Sequence, residues 1–239
     1  MKYDARFLGR EMVGSEIMFF RVKKPGEFKF LAGQFCFVIV PDIGFQDERG
    51  LRRPFSIASS PLEEDLLFVM KTSDSALKRT MSGISPGTLI AVESPVGNLT
   101  LPNETNVPLV FIAGGVGIAP FRSLIRYAVD ANTGHAITLF YSSQIPEETP
   151  FLEEMQHIPK KYPRVAVIVT MTRAGEAQAN WSGFTSRINP EMIKDGCRSW
   201  ESAIYYIVGP PPMANGMKQM LQGMNIPPAR IKMELFTGY

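Results

Sequence analysis

Through the first hundred residues the apolar positions fall in short runs separated by glycine, proline and charged residues, and little of the pattern repeats at helical spacing. Glu16–Val22 reads as a strand stopped by Lys24-Pro25-Gly26. Gln34–Val40 is almost wholly apolar, starts after Gly33 (room for a tight turn) and stops at Pro41-Asp42, the pattern of a strand buried on both faces. Residues 41–50 are a polar, glycine-containing loop. The Arg53 segment, Asp65–Lys71 and Leu89–Glu93 complete a series that predicts an antiparallel β-barrel. Within it, Thr72–Met81 has hydroxyl and carboxylate side chains leading into a short helical pattern, the composition of a helix N-cap. Leu101–Asn106 reads as a linker, and the texture then changes. Strand-like Val107–Ala113, Ala136–Tyr141, Arg164–Thr170 and Ala203–Val208 alternate with helical Phe121–Asp130, Pro150–His157, Asn189–Asp195 and Met213–Met224. That alternation predicts a parallel sheet covered on both faces. The expected fold is therefore two domains: an antiparallel barrel over residues 1–101 and an α/β domain over residues 107–239.

Composition narrows the function without naming it. The chain of 239 residues is long enough for two small domains with proper cores, and 45% hydrophobic with 20% charged residues describes an ordinary globular protein. A net charge of +2 gives no reason to expect nucleic acid or an anionic membrane as partner. The N-terminus lacks a signal-peptide pattern, and no apolar run approaches the roughly 18–20 residues of a membrane span, so a cytoplasmic protein is expected. Cys36 and Cys197 read as buried, inert thiols, and two cysteines are too few for an all-cysteine iron–sulfur cluster. His135 and His157 are isolated; no metal site, catalytic triad or acid–base dyad is expected.

Two stretches carry chemistry. In Arg53-Pro54-Phe55-Ser56 an arginine, an aromatic ring and a hydroxyl, taken as alternate positions of an extended segment, would share a face suited to a ligand with phosphate and a planar heteroaromatic ring. In Gly114-Gly115-Val116-Gly117-Ile118-Ala119-Pro120, glycines at a strand end allow close backbone approach to a pyrophosphate, and a helix starting near Pro120 points its positive end there. It is neither G-x-G-x-x-G nor a P-loop.

The first stretch resembles the R-x-[YF]-S flavin strand of the ferredoxin–NADP reductase superfamily, and Gly115–Pro120 resembles its G-x-G-I-A-P nucleotide loop. Ser94-Pro95-Val96-Gly97 is similar to the family's G-P-x-G turn. Val208-Gly209-Pro210-Pro211-Pro212-Met213 is similar to C-G-P-x-x-M, with Val208 replacing the cysteine and Gly209, Pro210 and Met213 kept. The resemblance implies FAD in the barrel and NAD(P)H on the α/β domain. It implies that Arg53 neutralises flavin phosphate, that Phe55 packs on the isoalloxazine without the hydroxyl of the more frequent tyrosine, and that Ser56 bonds near flavin N5. Pro54 and Lys71 would lie beside them. Ser75 and Ala76 match the helix start that meets the flavin phosphates. Glu234 would sit by the reacting atoms, with Ser56 the other catalytic position, and Phe236 or Tyr239 would cover the flavin ring. Gly114, Gly115, Gly117, Ile118, Pro120 and Ser142 would line the nucleotide. Thr172-Arg173 resembles the Ser-Arg pair that holds the extra phosphate in NADPH-using relatives, and Arg187 is a further basic position; Ser142 and Ser143 follow Tyr141 with no acid next to the strand, so the reading leans toward NADPH.

The function implied is an FAD-dependent NAD(P)H reductase that passes hydride to FAD and single electrons to a separate redox acceptor: a ferredoxin, a flavodoxin or an oxygenase component. A flavin-bearing subunit of a larger complex is the alternative, as in the dihydroorotate dehydrogenase electron-transfer subunit, whose C-terminal cysteine cluster is missing here. A non-catalytic nucleotide-binding or sensory module is the third reading.

Overall fold

Six strands build the N-terminal half: Lys2–Val13 (β1), Ile17–Lys23 (β2), Phe35–Ile39 (β3), Arg52–Ser56 (β4), Asp65–Lys71 (β5) and Leu89–Glu93 (β6). In the computed structural model, which describes residues 1–173 and 181–236, they are hydrogen-bonded in the order β4-β3-β6-β1-β2-β5, every pair antiparallel. The sheet curls until its ends meet, Ala58 N–H donating to the Leu67 carbonyl at 2.8 Å, and so forms a barrel. Alternate residues face inward: Phe7, Phe20, Val22, Cys36, Val38 and Phe68 are fully buried in one cluster.

β3 departs from expectation. Cys36 and Val38 are buried, but Phe35, Phe37 and Ile39 on the opposite face are only half-buried. The run is apolar on both sides because its second face lines a cavity, which a hydrophobicity pattern cannot distinguish from core. β1 carries no expectation from the sequence at all. Charged residues on its outer face mask the inward alternation of Tyr3, Ala5 and Phe7, and a register shift between Phe7 and Gly9 breaks the period.

In the C-terminal half, Leu109–Gly114 (β7), Ile137–Ser143 (β8), Val165–Met171 (β9), Ile204–Gly209 (β10) and Ile231–Leu235 (β11) form a parallel sheet in the order β11-β10-β7-β8-β9. Helix α1 (Ala76–Gly83) belongs to the barrel half; α2 (Ile118–Asp130), α3 (Leu152–Lys161), α4 (Pro190–Gly196) and α5 (Pro211–Gly223) cover the sheet. Both faces are buried, as the strand–helix alternation predicts. Leu109, Phe111 and Ala113 of β7 pack with Phe121 and Leu124 of α2 and Met155 of α3. Val110 and Ile112 face the other way, toward Ile193 of α4 and Leu221 of α5. The edge strand β11, short and half-buried, is absent from the sequence reading. Cys36 and Cys197 are both buried and unbridged. Among the described residues no helix is long and apolar enough to cross a membrane.

The halves are joined by α2 and the turn before it. Val116 and Ala119 pack on Ile17, Ala58, Leu67 and Val69 of the barrel, and Phe19 stacks on Phe151 with centroids 4.5 Å apart. Two polar anchors run through this contact. Ser123 Oγ donates to the Ser59 carbonyl at 2.6 Å. The Arg122 guanidinium, its residue 7% exposed, reaches the Ala58 carbonyl (2.8 Å), Glu63 (3.0 Å) and, from its own half, Glu154 (2.7 Å). The relative position of the two halves is thereby specified by groups that leave few alternatives.

Candidate active site

A cavity of about 370 Å³ opens on the barrel wall, lined by Phe35, Phe37, Arg49, Arg53–Ser56, Lys71, Ser75, Lys78 and, from the other half, Val116, Ala119, Glu234 and Phe236. β4 supplies its floor. Arg53 and Phe55 lie opposite Val38 and Cys36, whereas Pro54 and Ser56 lie opposite Phe37 and Phe35, so strand alternation puts Ser56 on the other face from the arginine and the ring. The expected single face is therefore corrected: these residues meet because the cavity wraps the strand's end. The Phe55 ring stands edge-on to Phe20, centroids 5.2 Å apart, and to Phe68 at 6.1 Å, so it packs on the barrel core with one side left toward the cavity.

Two cations of this cavity are paired with acids: Lys71 with Glu16 at 2.6 Å and Arg53 with Asp47. Arg53 donates from Nη1 to the carbonyls of Gly50 (2.8 Å) and Arg52 (2.9 Å), and also to that of Arg49. From Nη2 it donates to Asp47 Oδ1 at 3.2 Å. Asp47 Oδ2 accepts the Ala76 N–H, the first of α1, at 2.6 Å. Ser75 occupies the N-cap position but its side chain makes no capping bond; the expected cap comes from Asp47 instead, a residue far away in sequence. The Ala76 N–H is the largest cause holding the Asp47 carboxyl below the usual carboxylate range. Lys78 is pushed below its ordinary value, first by burial and then by Arg49, Arg53 and Lys71. Across the cavity Glu234 has its carboxyl raised to about 7 by burial, and its Oε1 lies against Gly97 in the turn that follows β6.

A second cavity, about 570 Å³, lies beyond the carboxyl ends of the parallel strands, lined by Gly114, Gly115, Val116, Ser142, Thr172, Arg187, Pro210 and Met213 among others. The glycines divide the work. Gly115 has φ +53 and open space where a Cβ would stand, so it alone presents bare backbone. A Cβ on Gly117 would stand 2.4 Å from the Val208 carbonyl oxygen, and one on Gly114 2.8 Å from Met213 Sδ: these two allow the chain to pack on β10 and α5. The buried Tyr141 hydroxyl donates to the Gly115 carbonyl at 3.1 Å and steadies the loop. Prolines 210 to 212 have no N–H, so the first N–H that α5 can offer a ligand is that of Met213. Lys71 and Val116 line both cavities, which therefore adjoin.

Several expected contacts are not made by side chains. Ile118 and Pro120 are buried in the sheet–helix core and serve α2 rather than a ligand. Gly117 and Gly209 pack against each other. Arg173 is exposed and outside the cavity lining, its N–H donated to the Gln144 carbonyl. Tyr239 lies outside the described residues. Conversely, Phe35, Phe37, Arg49 and Lys78 escape the sequence reading. Alternation along β3 could have found the first two, and the Ser75-to-Lys78 spacing on α1 the last. Arg49 has no local signal.

Residues 3–115 match the family described as FAD-binding domain, and residues 111–219 match the oxidoreductase NAD-binding domain. A solved ferredoxin NADP+ reductase from Neisseria gonorrhoeae with bound FAD and NADP superposes with a TM-score of 0.79 at 25% identity, each chain covered to 98%. This chain belongs to the ferredoxin–NADP reductase superfamily. Within that superfamily it is 27% identical over 232 residues to the reductase component of propane 2-monooxygenase from Mycolicibacterium goodii, covering 93% of this chain but 64% of that protein. It is 28% identical to the sulfhydrogenase 2 subunit gamma of Pyrococcus furiosus, covering 98% of this chain and 83% of that one. The smaller cavity is lined mainly by residues that match the FAD-binding domain and the larger mainly by residues that match the NAD-binding domain. For the flavin the fit is visible in the Asp47 carboxylate. An anion already bonds the arginine and the helix N-terminus that a flavin phosphate would need, so the donor set accepts negative charge.

Proposed function

We propose that the chain is an FAD-dependent NAD(P)H oxidoreductase that delivers electrons singly to a separate redox protein, a ferredoxin, a flavodoxin or an oxygenase component. The observation that carries this is the shared wall: an anion-accepting aromatic cavity and a strand-end nucleotide cavity adjoin at Lys71 and Val116. FAD, when bound, supplies two-electron acceptance from a reduced nicotinamide and release in single steps. The protein's part is position and charge. Arg53 and the α1 N-terminus hold phosphate, Phe55 offers a fixed ring face, and Phe236 closes the cavity from the opposite half. Ser56 places a hydroxyl in the same cavity. Glu234, carrying its proton up to about pH 7, is suited to hold or release one proton in the smaller cavity. Thr172 and Arg187 line the larger cavity together with Glu16 and Glu148, and the hydroxyl and guanidinium among them are the groups that favour NADPH over NADH. The two halves are proposed as domains of residues 1–101 and 107–239.

Anaerobic mixing of the yellow protein with NADPH should bleach the flavin absorbance, and NADH should do so less well. A preparation that stays colourless after incubation with FAD would overturn the proposal. Likeness to a hydrogenase gamma subunit over nearly the whole chain supports a second reading, a flavin-bearing subunit of a larger complex. Size-exclusion chromatography of native extract separates the two: co-elution with a larger assembly supports the second reading.

A further inference from the structure

Asp47 occupies the place that the proposed function assigns to flavin phosphate. Its carboxylate takes the Ala76 N–H at 2.6 Å and Arg53 Nη2 at 3.2 Å, while Arg53 Nη1 is turned toward the backbone carbonyls of Gly50 and Arg52. Asp47 Oδ1 also takes the Arg49 N–H at 2.8 Å, and of the donors on this wall Asp47 holds the helix-start N–H and one edge of the Arg53 guanidinium. A ligand phosphate needs that same N–H and that same guanidinium edge, so the two anions exclude one another. The loop bearing Asp47 is built to yield. Gly44 (φ +96) and Gly50 (φ +64) flank it with open space on their Cβ sides, and the Asp47 side chain remains 26% exposed. An anchor independent of Asp47 ties the loop to α1, since Arg79 lies over the Phe45 ring at 4.1 Å. The carboxylate can leave without the loop coming away.

We infer that Asp47 is an internal competitor for the phosphate cradle and that it sets both the affinity for phosphorylated flavins and how strongly they are preferred over riboflavin. The inference rests on the reading that this cavity takes a flavin. A phosphate brings more negative charge than Asp47 to a site surrounded by Arg49, Arg53, Lys71 and Lys78, and so displaces it, but each binding event has first to break the Asp47 bonds. Riboflavin has no phosphate and does not meet this competition.

The test is a fluorescence titration of the flavin-stripped full chain with FAD, FMN and riboflavin, in wild type, Asp47→Asn and Asp47→Ala. Removing the charge is expected to tighten FAD and FMN by about tenfold, the order expected when a competing charge-assisted bond is removed, and to leave riboflavin within twofold. The thermal midpoint of flavin-free Asp47→Asn should fall below wild type, with a larger rise on adding FAD. Unchanged or weaker FAD binding in both variants overturns the inference. Equal tightening of riboflavin overturns it as well, since the effect would then not be on the phosphate. If no form binds any of the three flavins, the proposed function falls and this inference with it.

Discussion

Arg122→Met removes the charge that joins the halves while keeping an unbranched apolar stem, and the structure fixes both the size and the pH dependence of the loss. In the wild type, Nε bonds Glu154 at 2.7 Å, Nη1 bonds the Ala58 carbonyl at 2.8 Å and Glu63 at 3.0 Å, and Nη2 bonds Glu63 at 3.2 Å. Removing one partner of a buried ion pair costs about 3–5 kcal/mol. The Glu63 and Glu154 side chains keep 28% and 26% exposure, so partial rehydration brings the expected loss to about 2–4 kcal/mol at pH 7. Burial pushes the Glu63 carboxyl up, and Arg122 more than reverses this, leaving it below the ordinary value. In the wild type, then, Glu63 contributes stability above the ordinary glutamate range that is lost on acidification through its lowered pKa. In Arg122→Met burial is still opposed by the Ser60 N–H and by Arg126, so the carboxyl rises from its lowered value and the stability that Glu63 contributes above the ordinary glutamate range shrinks. The gap between the proteins should stay constant from pH 7 to pH 5 and narrow between pH 5 and pH 3. Urea unfolding followed by circular dichroism at the three pH values measures it, and Arg122→Met/Glu63→Gln should recover part of the loss as a coupled pair. A loss under about 1 kcal/mol at pH 7, or one that does not change with pH, would refute the account of Arg122 as the buried tie between the halves.

Three further outcomes are expected. Glu234 has a folded-state pKa of about 7 against 4.5 for an ordinary glutamate; its cost is absent below the lower value and grows as pH rises through the higher. Glu234→Gln should therefore gain about 1–3 kcal/mol on wild type between pH 5 and pH 8, read from denaturant midpoints, and a constant difference would contradict it. Gly117→Ala places a methyl 2.4 Å from the Val208 carbonyl oxygen and 3.1 Å from the Gly209 Cα, backbone that cannot turn aside. A loss of about 1–3 kcal/mol by thermal melting with weakened NADPH binding is expected, and a neutral outcome would mean the turn is not so tightly packed. Arg187→Ala should weaken NADPH binding by about tenfold and leave NADH nearly unchanged by calorimetry; equal effects on both would remove the argument for the 2′-phosphate.

Strands buried on both faces and bounded by turns are the ones that a linear pattern reads well. β5 and β6 fall at their expected bounds, and β7 divides Leu109, Phe111 and Ala113 from Val110 and Ile112 as a twice-covered strand should. Where a face meets a cavity the pattern misleads, because Phe35 and Phe37 are as apolar as core residues yet only half-buried. β1 is hidden by the opposite effect, charges on its outer face outweighing the few residues that point inward. The candidate site follows the same division. Arg53, Phe55, Gly115 and Met213 were legible because local motifs carry them. Asp47 was not: its role exists only because a loop before β4 folds back onto a helix that follows β5, bringing together residues separated by a whole strand pair. No window of sequence contains both partners. A motif can thus name the arginine, while the carboxylate that bonds it becomes visible only in three dimensions. For this chain, flavin affinity should be governed as much by that loop as by the motif itself.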